Sequence, residues 1–229
     1  MLNPRIQLIH AVTAAQAPIH EAFSRLWPEA RPVDLADLSL ATDLGELGEL
    51  SGNAMAEAFT KRMAVLIGYG VDTGADAVLF TCSAFGAAIE VARQGVAIPV
   101  LKPDEAMIAR ALGLAKAGRS QIGGLATFAP TIPSLTSELE AAAEAVCLNP
   151  QIELSHVPGA LDQLNQGNGA EHDRLVVEAA GSMADVDAML LAQFSMSGVR
   201  DAIPDVPGRT VLASPDEAVL KLKDLLDAD

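Results

Sequence analysis

Short apolar runs alternate with longer segments in which apolar residues recur at helical spacing, from one end of the chain to the other. This alternation is typical of βα units built around a parallel sheet. It predicts eight strands, at residues 6–11, 32–36, 77–81, 98–101, 121–126, 152–155, 188–192 and 210–213. It predicts helices at residues 17–27, 54–71, 84–94, 104–117, 134–146, 170–184, 196–202 and 215–227. The expected fold class is therefore α/β.

Two pairs of similar segments indicate an internal repeat. The stretch "GADAVLFTCSAFG" at 74–86 parallels "DVDAMLLAQFSMSG" at 185–198, and "PVLKPDEAMIARAL" at 99–112 parallels "TVLASPDEAVLKLK" at 210–223. Both pairs occur in the same order and are separated by nearly the same length of chain. Chance similarity between two βα units of like composition is the alternative, but the shared order and spacing favour the duplication of a four-strand unit.

The repeat predicts two pseudo-symmetric, flavodoxin-like lobes, each a four-stranded parallel sheet with flanking helices. We expect an N-terminal lobe at 1–118 and a C-terminal lobe at 119–229, with the C-terminal segment able to pack across. Ligands of open parallel sheets bind beyond the carboxyl ends of the strands, so a cleft between the lobes is expected. The glycine-rich stretches 44–53 and 165–173 are predicted to be loops at its rim.

Composition narrows the classes of function. Half of the 229 residues are hydrophobic, and 30 acidic against 15 basic residues give a net charge of −15. Such a charge repels polyanions, so no nucleic-acid partner is predicted. The apolar runs fall short of the roughly 20 residues that a membrane span needs, and the N-terminus lacks the features of a signal peptide. We expect a cytoplasmic protein without membrane partners, and homo-oligomerisation is open.

The two cysteines differ in setting. Thr81, Cys82 and Ser83 directly follow a predicted buried strand, where the next helix offers free N–H groups to a ligand. A thiol there is expected to supply thiolate at neutral pH as a base or nucleophile, although buried cysteines are also common core residues. Cys147 ends an alanine-rich helix and is interpreted as structural. The two cysteines are too few for a disulfide framework and too poorly spaced for a zinc site, and no metal or cofactor is predicted.

These segments together resemble the aspartate/glutamate racemase superfamily, with its hydantoin racemase, maleate isomerase and arylmalonate decarboxylase relatives. The resemblance rests on the strand that ends in Thr-Cys-Ser, on the duplicated lobes, on "IPVLKPDEAM" and on "MLLAQFSMSGV", and it covers nearly the whole chain. It implies a cofactor-independent enzyme in which one cysteine per lobe faces each side of the α-carbon of a small carboxylate. Thr or Asn side chains and backbone N–H groups would hold the carboxylate.

The chain departs from the superfamily at both loops. Phe80 stands where members commonly have Asn before Thr-Cys, and the family's Gly-Cys-Ala-Gly-Met falls on Ala192-Gln193-Phe194-Ser195-Met196. The repeat also pairs Cys82 with Gln193. Neither a carboxamide nor the unassisted hydroxyl of Ser195, the other candidate for the second position, is a competent base near pH 7.

The candidate catalytic residues are Cys82, Gln193 and Ser195. The candidate substrate-binding residues are Thr81, Ser83, Thr127, His10, Thr13 and Met196. His10 and His156 end predicted strands and are possible partner bases, whereas His20 and His172 are interpreted as surface or helix-start residues. The predicted activity is that of an isomerase or racemase at the α-carbon of a small carboxylate. The alternatives are a one-cysteine decarboxylase or lyase of an activated dicarboxylate, a cis-trans isomerase in which the thiol adds to an alkene, and a non-catalytic carboxylate-binding module.

Overall fold

The computed structural model describes residues 3–47, 53–183 and 185–228. Contacts divide the chain into two compact units: Met1–Pro103 with Ala218–Asp229 forms unit 1, and Asp104–Glu217 forms unit 2. Helix 105–116 is thus grouped with the second sheet, and the segment from Ala218 with the first. The lobes 1–118 and 119–229 were predicted from the sequence repeat. Their boundary between residues 118 and 119 stays a prediction.

Unit 1 contains a four-stranded parallel sheet in the order β2-β1-β3-β4. Its strands are β1 (Arg5–His10), β2 (Arg31–Ala36), β3 (Ala77–Phe80) and β4 (Val100–Leu101). Its helices are α1 (Gln16–Leu26), α2 (Ser39–Leu47), α3 (Asn53–Asp72) and α4 (Gly86–Ala92), with short 3₁₀ helices at Thr13–Ala15 and Ser83–Phe85. β1 pairs with β3 so that Ile9 lies opposite Phe80.

Unit 2 repeats this order as β6-β5-β7-β8. Its strands are β5 (Gln121–Ala126), β6 (Gln151–His156), β7 (Ala188–Leu191) and β8 (Thr210–Ala213). Its helices are α5 (Glu105–Lys116), α6 (Thr131–Ala145), α7 (Ala160–Asn165) and α8 (Gly169–Ser182), with a 3₁₀ helix at Phe194–Ala202. Helix α9 (Ser214–Asp227) begins in unit 2, and its residues from Ala218 onward belong to unit 1.

The sheet of unit 2 is covered by apolar side chains on both faces, as expected for parallel strands. Alternate residues of β7 enter different clusters: Leu190 packs among residues of α5 and α6, and Met189 packs among residues of α8 and the following 3₁₀ helix. In unit 1, Val78 and Phe80 of β3 pack with Met63 and Ile67 of α3. These buried faces fix the strand register, because a one-residue slip would turn the apolar side chains away from their partners.

The repeat predicted from sequence is visible in matching contacts. Asp76 and Asp187, aligned by the repeat, each precede the third strand of their unit. The Asp76 carboxylate accepts the Arg5 N–H at 2.7 Å, and the Asp187 carboxylate accepts the Gln121 N–H at 3.0 Å. The fold class predicted from the sequence, two four-stranded parallel sheets with flanking helices, is confirmed.

Several elements differ from the predicted ones. The glycine-rich stretch 44–53 is not simply a loop, because residues 44–47 end α2 and Asn53 begins α3, while 48–52 lie outside the described residues. Likewise Asn165 ends α7, and α8 has begun by Gly169. The segment at 194–202 is a 3₁₀ helix rather than an α-helix. Helices α2 and α7 were absent from the expected pattern.

Candidate active site

Cys82 lies two residues beyond the end of β3, in the N-cap position of the 3₁₀ helix Ser83–Phe85. Its side chain is half-buried, packs on one side against the apolar cluster of unit 1, and is not in a disulfide. Cys82 is therefore a partly exposed residue at the carboxyl end of the sheet. This position is the one at which parallel sheets bind ligands.

Gln193 occupies the same position in unit 2 and is held at both ends of its carboxamide. It lies two residues beyond β7, at the N-cap of the 3₁₀ helix Phe194–Ala202. Its Oε1 accepts the Thr127 backbone N–H at 2.8 Å, and its Nε2 donates to Thr131 Oγ1 at 2.9 Å. The equivalence that the repeat predicted is thus a structural one, but the side chain at the second position is a locked amide.

Four further candidates carry hydroxyl groups at the carboxyl ends of the strands. In unit 1, Thr13 is exposed after β1, and Ser83 is half-buried after β3. In unit 2, Thr127 is buried after β5, and its hydroxyl lies 3.4 Å from Gln193 Oε1. Ser195 is half-buried in the first turn of the 3₁₀ helix after β7. Thr127 and Gln193 are therefore brought into direct contact.

His10 and Thr81 form a buried pair at the ends of β1 and β3. His10 is fully buried, and its Nδ1 lies 2.8 Å from Thr81 Oγ1. Its Nε2 lies 2.9 Å from Asp34 Oδ1 on β2, and Asp34 also accepts from Nε2 of His20 on α1. Both ring nitrogens of His10 are thus engaged within unit 1, which leaves neither of them directed at solvent.

The pKa values in this network follow from burial and charge. Burial lowers the pKa of His10 below its ordinary value of 6.5, although the Asp34 carboxylate acts in the opposite direction. Burial also acts to raise the pKa of Asp34, but the hydrogen bonds from His10 and His20 outweigh it and hold that pKa below 3.8. At neutral pH, Asp34 is therefore ionised and His10 is neutral.

Met196 and the remaining histidines lie in other surroundings. Met196 is fully buried in an apolar cluster of unit 2, and its backbone N–H donates to the Gln193 carbonyl at 3.0 Å. His156 is exposed, and its Nε2 lies 3.2 Å from the Thr127 carbonyl oxygen. His172, interpreted as a surface or helix-start residue, does lie in the first turn of α8, but it is buried.

Two residues of these networks were missed in the sequence. Asp34 lies within the predicted strand 32–36, and Thr131 lies three residues before the predicted start of a helix. An aspartate that faces a histidine from a neighbouring strand leaves no local pattern. The available signal was the single charge within the otherwise apolar run 32–36.

The part of the chain that the structure describes contains neither a membrane-spanning helix nor a metal-binding cluster. None of the helices in residues 3–47, 53–183 and 185–228 is long and apolar enough to cross a membrane. Within the same ranges, no group of three or more His, Cys, Asp or Glu side chains is arranged to hold a metal ion.

Solved structures with the same fold include racemases and a decarboxylase. A glutamate racemase isoform from Bacillus anthracis is 15% identical, with a TM-score of 0.69 over 100% of this chain and 83% of that one. The allantoin racemase from Klebsiella pneumoniae is 17% identical, with a TM-score of 0.65 over 99% and 89%. A mutant of arylmalonate decarboxylase in which a glycine is replaced by cysteine is 19% identical, with a TM-score of 0.60 over 98% of this chain and 94% of that one. At these identities the likeness concerns the fold.

Sequence comparison supplies the family. No curated protein matches the chain at a significant level. The sequence model of the Asp/Glu/hydantoin racemase family, however, matches residues 13–222, which is nearly the whole chain. This match confirms the predicted resemblance and the prediction of an isomerase-type enzyme of the superfamily. The chain belongs to the Asp/Glu/hydantoin racemase family.

Proposed function

We propose that this protein is a cofactor-independent isomerase that acts at the α-carbon of a small carboxylate, with the Cys82 thiolate as the base. The observation that carries the proposal is the position of Cys82, a half-buried thiol beyond the carboxyl end of β3 in a racemase-family chain. A partly exposed cysteine in such a place is available to a ligand, whereas a core cysteine is not.

The reaction needs a base that takes the α-proton and hydrogen-bond donors that stabilise the negative charge of the enediolate. The Cys82 thiolate takes the α-proton, and the C–H electron pair moves into an enediolate. Water then gives a proton to the opposite face of the carbon, and the Cys82 thiol passes its proton to the hydroxide that remains, which restores the thiolate. The hydroxyls of Ser83 and Thr13, at the ends of β3 and β1, are the proposed donors of unit 1. One aimed donor contributes roughly 3 kcal/mol to such a transition state.

The second loop favours a one-thiol reaction over a symmetric two-thiol racemase. Gln193 stands in the position equivalent to Cys82, and both ends of its carboxamide are hydrogen-bonded, to Thr127 and to Thr131. An amide neither takes nor gives a proton near pH 7. This observation favours the second candidate function, decarboxylation of an activated dicarboxylate, in which loss of CO₂ forms the enediolate and the Cys82 thiol then supplies a single proton.

The test follows small carboxylates by NMR in deuterated water with the wild-type protein, Cys82→Ala and the matched control Cys147→Ser. Exchange of the α-proton with inversion is the expected result for the isomerase, and loss of CO₂ for the decarboxylase. Both activities are expected to vanish in Cys82→Ala and to persist in Cys147→Ser.

Two outcomes would count against the proposal. Activity that survives in Cys82→Ala would exclude the thiol as the essential group. Ligand binding without exchange or CO₂ loss, across amino acids, hydantoins and substituted malonates, would replace the enzyme with a carboxylate-binding module.

A further inference from the structure

A chain of hydrogen bonds crosses three adjacent strands of unit 1 and ends beside the proposed base. Asp34 of β2 contacts Nε2 of His10 on β1, and Nδ1 of His10 contacts the hydroxyl of Thr81, which directly precedes Cys82. His10 is 0% exposed and Thr81 is 5% exposed. Buried polar groups of this kind cost free energy unless they are hydrogen-bonded, so each partner constrains the next.

The direction of each hydrogen bond follows from the chemistry of the groups. An ionised carboxylate only accepts, so Nε2 of His10 carries a hydrogen and donates it to Asp34. In the neutral ring Nδ1 then has no hydrogen and must accept. The hydroxyl proton of Thr81 is therefore donated to His10, at 2.8 Å.

Protonation of His10 would not release the Thr81 proton. With hydrogens on both ring nitrogens, Nδ1 would donate to Thr81 Oγ1, and the hydroxyl would then donate to the Ile9 carbonyl oxygen, 3.3 Å away. In either state the Thr81 hydroxyl donates its hydrogen bond to a residue of β1, either His10 or Ile9. It is not available to a carboxylate or an enediolate.

We propose that Asp34, His10 and Thr81 form a positioning chain that fixes the end of β3 and so sets the orientation of Cys82. In this assignment Thr81 and His10 orient the base without touching the substrate, which replaces the substrate-binding roles expected from the sequence. The catalytic consequence rests on the proposed function of Cys82. The hydrogen-bond pattern is independent of that function.

The first test needs no activity. Protein labelled with ¹⁵N-histidine is examined by long-range ¹H–¹⁵N NMR at pH 7.5, and His10 is assigned among the four histidines by its loss in His10→Gln. The expected spectrum shows the Nε2–H tautomer, with Nδ1 shifted by an accepted hydrogen bond. In Thr81→Val the Nδ1 resonance moves towards that of an unbonded ring nitrogen, and in Thr81→Ser it stays.

The matched control is His20→Gln, because His20 binds the same carboxylate but does not touch Thr81. It is expected to leave the Nδ1 resonance of His10 in place. An Nδ1–H tautomer, or a Nδ1 resonance that is unchanged in Thr81→Val, would overturn the proposal. If Thr81→Val does not fold, the tautomer of the wild-type protein decides alone.

The second test separates positioning from substrate binding. A positioning role predicts that Thr81→Val and His10→Gln lower kcat with less than about a twofold change in KM, and that the double variant is no worse than the poorer single one. Loss of a hydrogen bond to a substrate carboxylate would instead raise KM by roughly 10- to 150-fold in Thr81→Val. That result would return Thr81 to the binding site. If no substrate is found, the first test still stands.

Discussion

Single residues decide how the two units differ in chemistry. Cys82 and Gln193 hold equivalent N-cap positions, yet one carries an ionisable thiol and the other a carboxamide bonded to Thr127 and Thr131. The repeat alone identified this equivalence from the sequence. It could not reveal that the amide is locked, because Thr131 lies 62 residues from Gln193.

Gln193→Ala is expected to destabilise the protein by about 1–3 kcal/mol, because it leaves the buried Thr127 N–H without its acceptor. The measurement is the free energy of unfolding in urea. Gln193→Glu is the control, since a carboxylate keeps the acceptor for Thr127 and can accept from the Thr131 hydroxyl. Equal losses in the two variants would show that this hydrogen bond is not what stabilises the loop.

Cys147 has a backbone conformation that suits glycine. Its φ is +56°, and it directly follows Val146, the C-cap residue of α6, which ends at Ala145. The Leu148 N–H returns to the Ala143 carbonyl at 2.9 Å, and the Cys147 N–H to the Glu144 carbonyl at 3.0 Å. These are the hydrogen bonds of a Schellman motif, whose left-handed residue is usually glycine.

Cys147→Gly is therefore expected to stabilise the protein by about 0.5–1 kcal/mol, because the strain of a side chain in the left-handed region is relieved. Cys147→Ala keeps the Cβ and serves as the matched control, with little gain expected. Thermal unfolding of the three proteins provides the comparison. A midpoint in Cys147→Gly at or below that of Cys147→Ala would contradict the strain argument.

At the scale of elements, local pattern predicted the strands well but missed two helices. All eight strands lie where the apolar runs placed them, because six of them bury positions that demand apolar side chains. The edge strands β2 and β6 contain no buried residue, but each has partly buried ones. Helix α2 was hidden by its glycine-rich end. It is held in place by a residue that is distant in sequence, Arg62 of α3. Arg62 donates to the carboxylate of Asp37, just before α2, at 2.7 and 2.8 Å, and forms an ion pair with Asp43 of α2.

Strand β5 contains a glycine that packing requires. A Cβ on Gly123 would lie 2.7 Å from Val186 Cγ1, and a β-branched valine has little freedom to move away. Gly123→Ala is expected to cost about 1–3 kcal/mol in the free energy of unfolding.

Gly113 on α5 is the matched control for this substitution, because nothing lies within 4 Å of the Cβ that it would carry. Gly113→Ala is expected to stabilise by about 0.5–1 kcal/mol, since alanine is the better helix former. Chemical unfolding of both variants tests the pair. A neutral Gly123→Ala would mean that β5 and Val186 can separate without loss.

At the scale of the whole molecule, stability is expected to fall on the acid side of neutrality. The folded state holds the pKa of His10 below 6.5, so the unfolded chain binds that proton first as the pH falls. Asp34 on β2 and His20 on α1 are the titratable groups that face it, and the lowered pKa of Asp34 adds a further loss below pH 3.8.

The expected slope from His10 is at most about 1.4 kcal/mol per pH unit between pH 6.5 and its folded pKa. Urea unfolding of the wild-type protein and of His10→Gln, at intervals from pH 7.5 to 5, measures it. The variant is expected to show a flatter dependence. Parallel curves for the two proteins would contradict a neutral buried His10.

The architecture of the whole chain was predictable because the duplication repeats one strand order in both units. The C-terminal segment was expected to be able to pack across, but the grouping of α5 with unit 2 was less accessible. It depends on which sheet a helix covers, and both sheets offer similar apolar faces to similar helices. Local pattern specifies that a face is buried, but not against which partner.

The role of Cys82 as a thiolate base is tested most directly by measuring how fast Cys82 reacts with iodoacetamide as a function of pH. The protein carries Cys147→Ser, because Cys147 is exposed and would react as well. Cys82 is expected to be alkylated as the thiolate below pH 7 and to be protected by small dicarboxylates. A thiol that stays inert below pH 7 would contradict a base at Cys82.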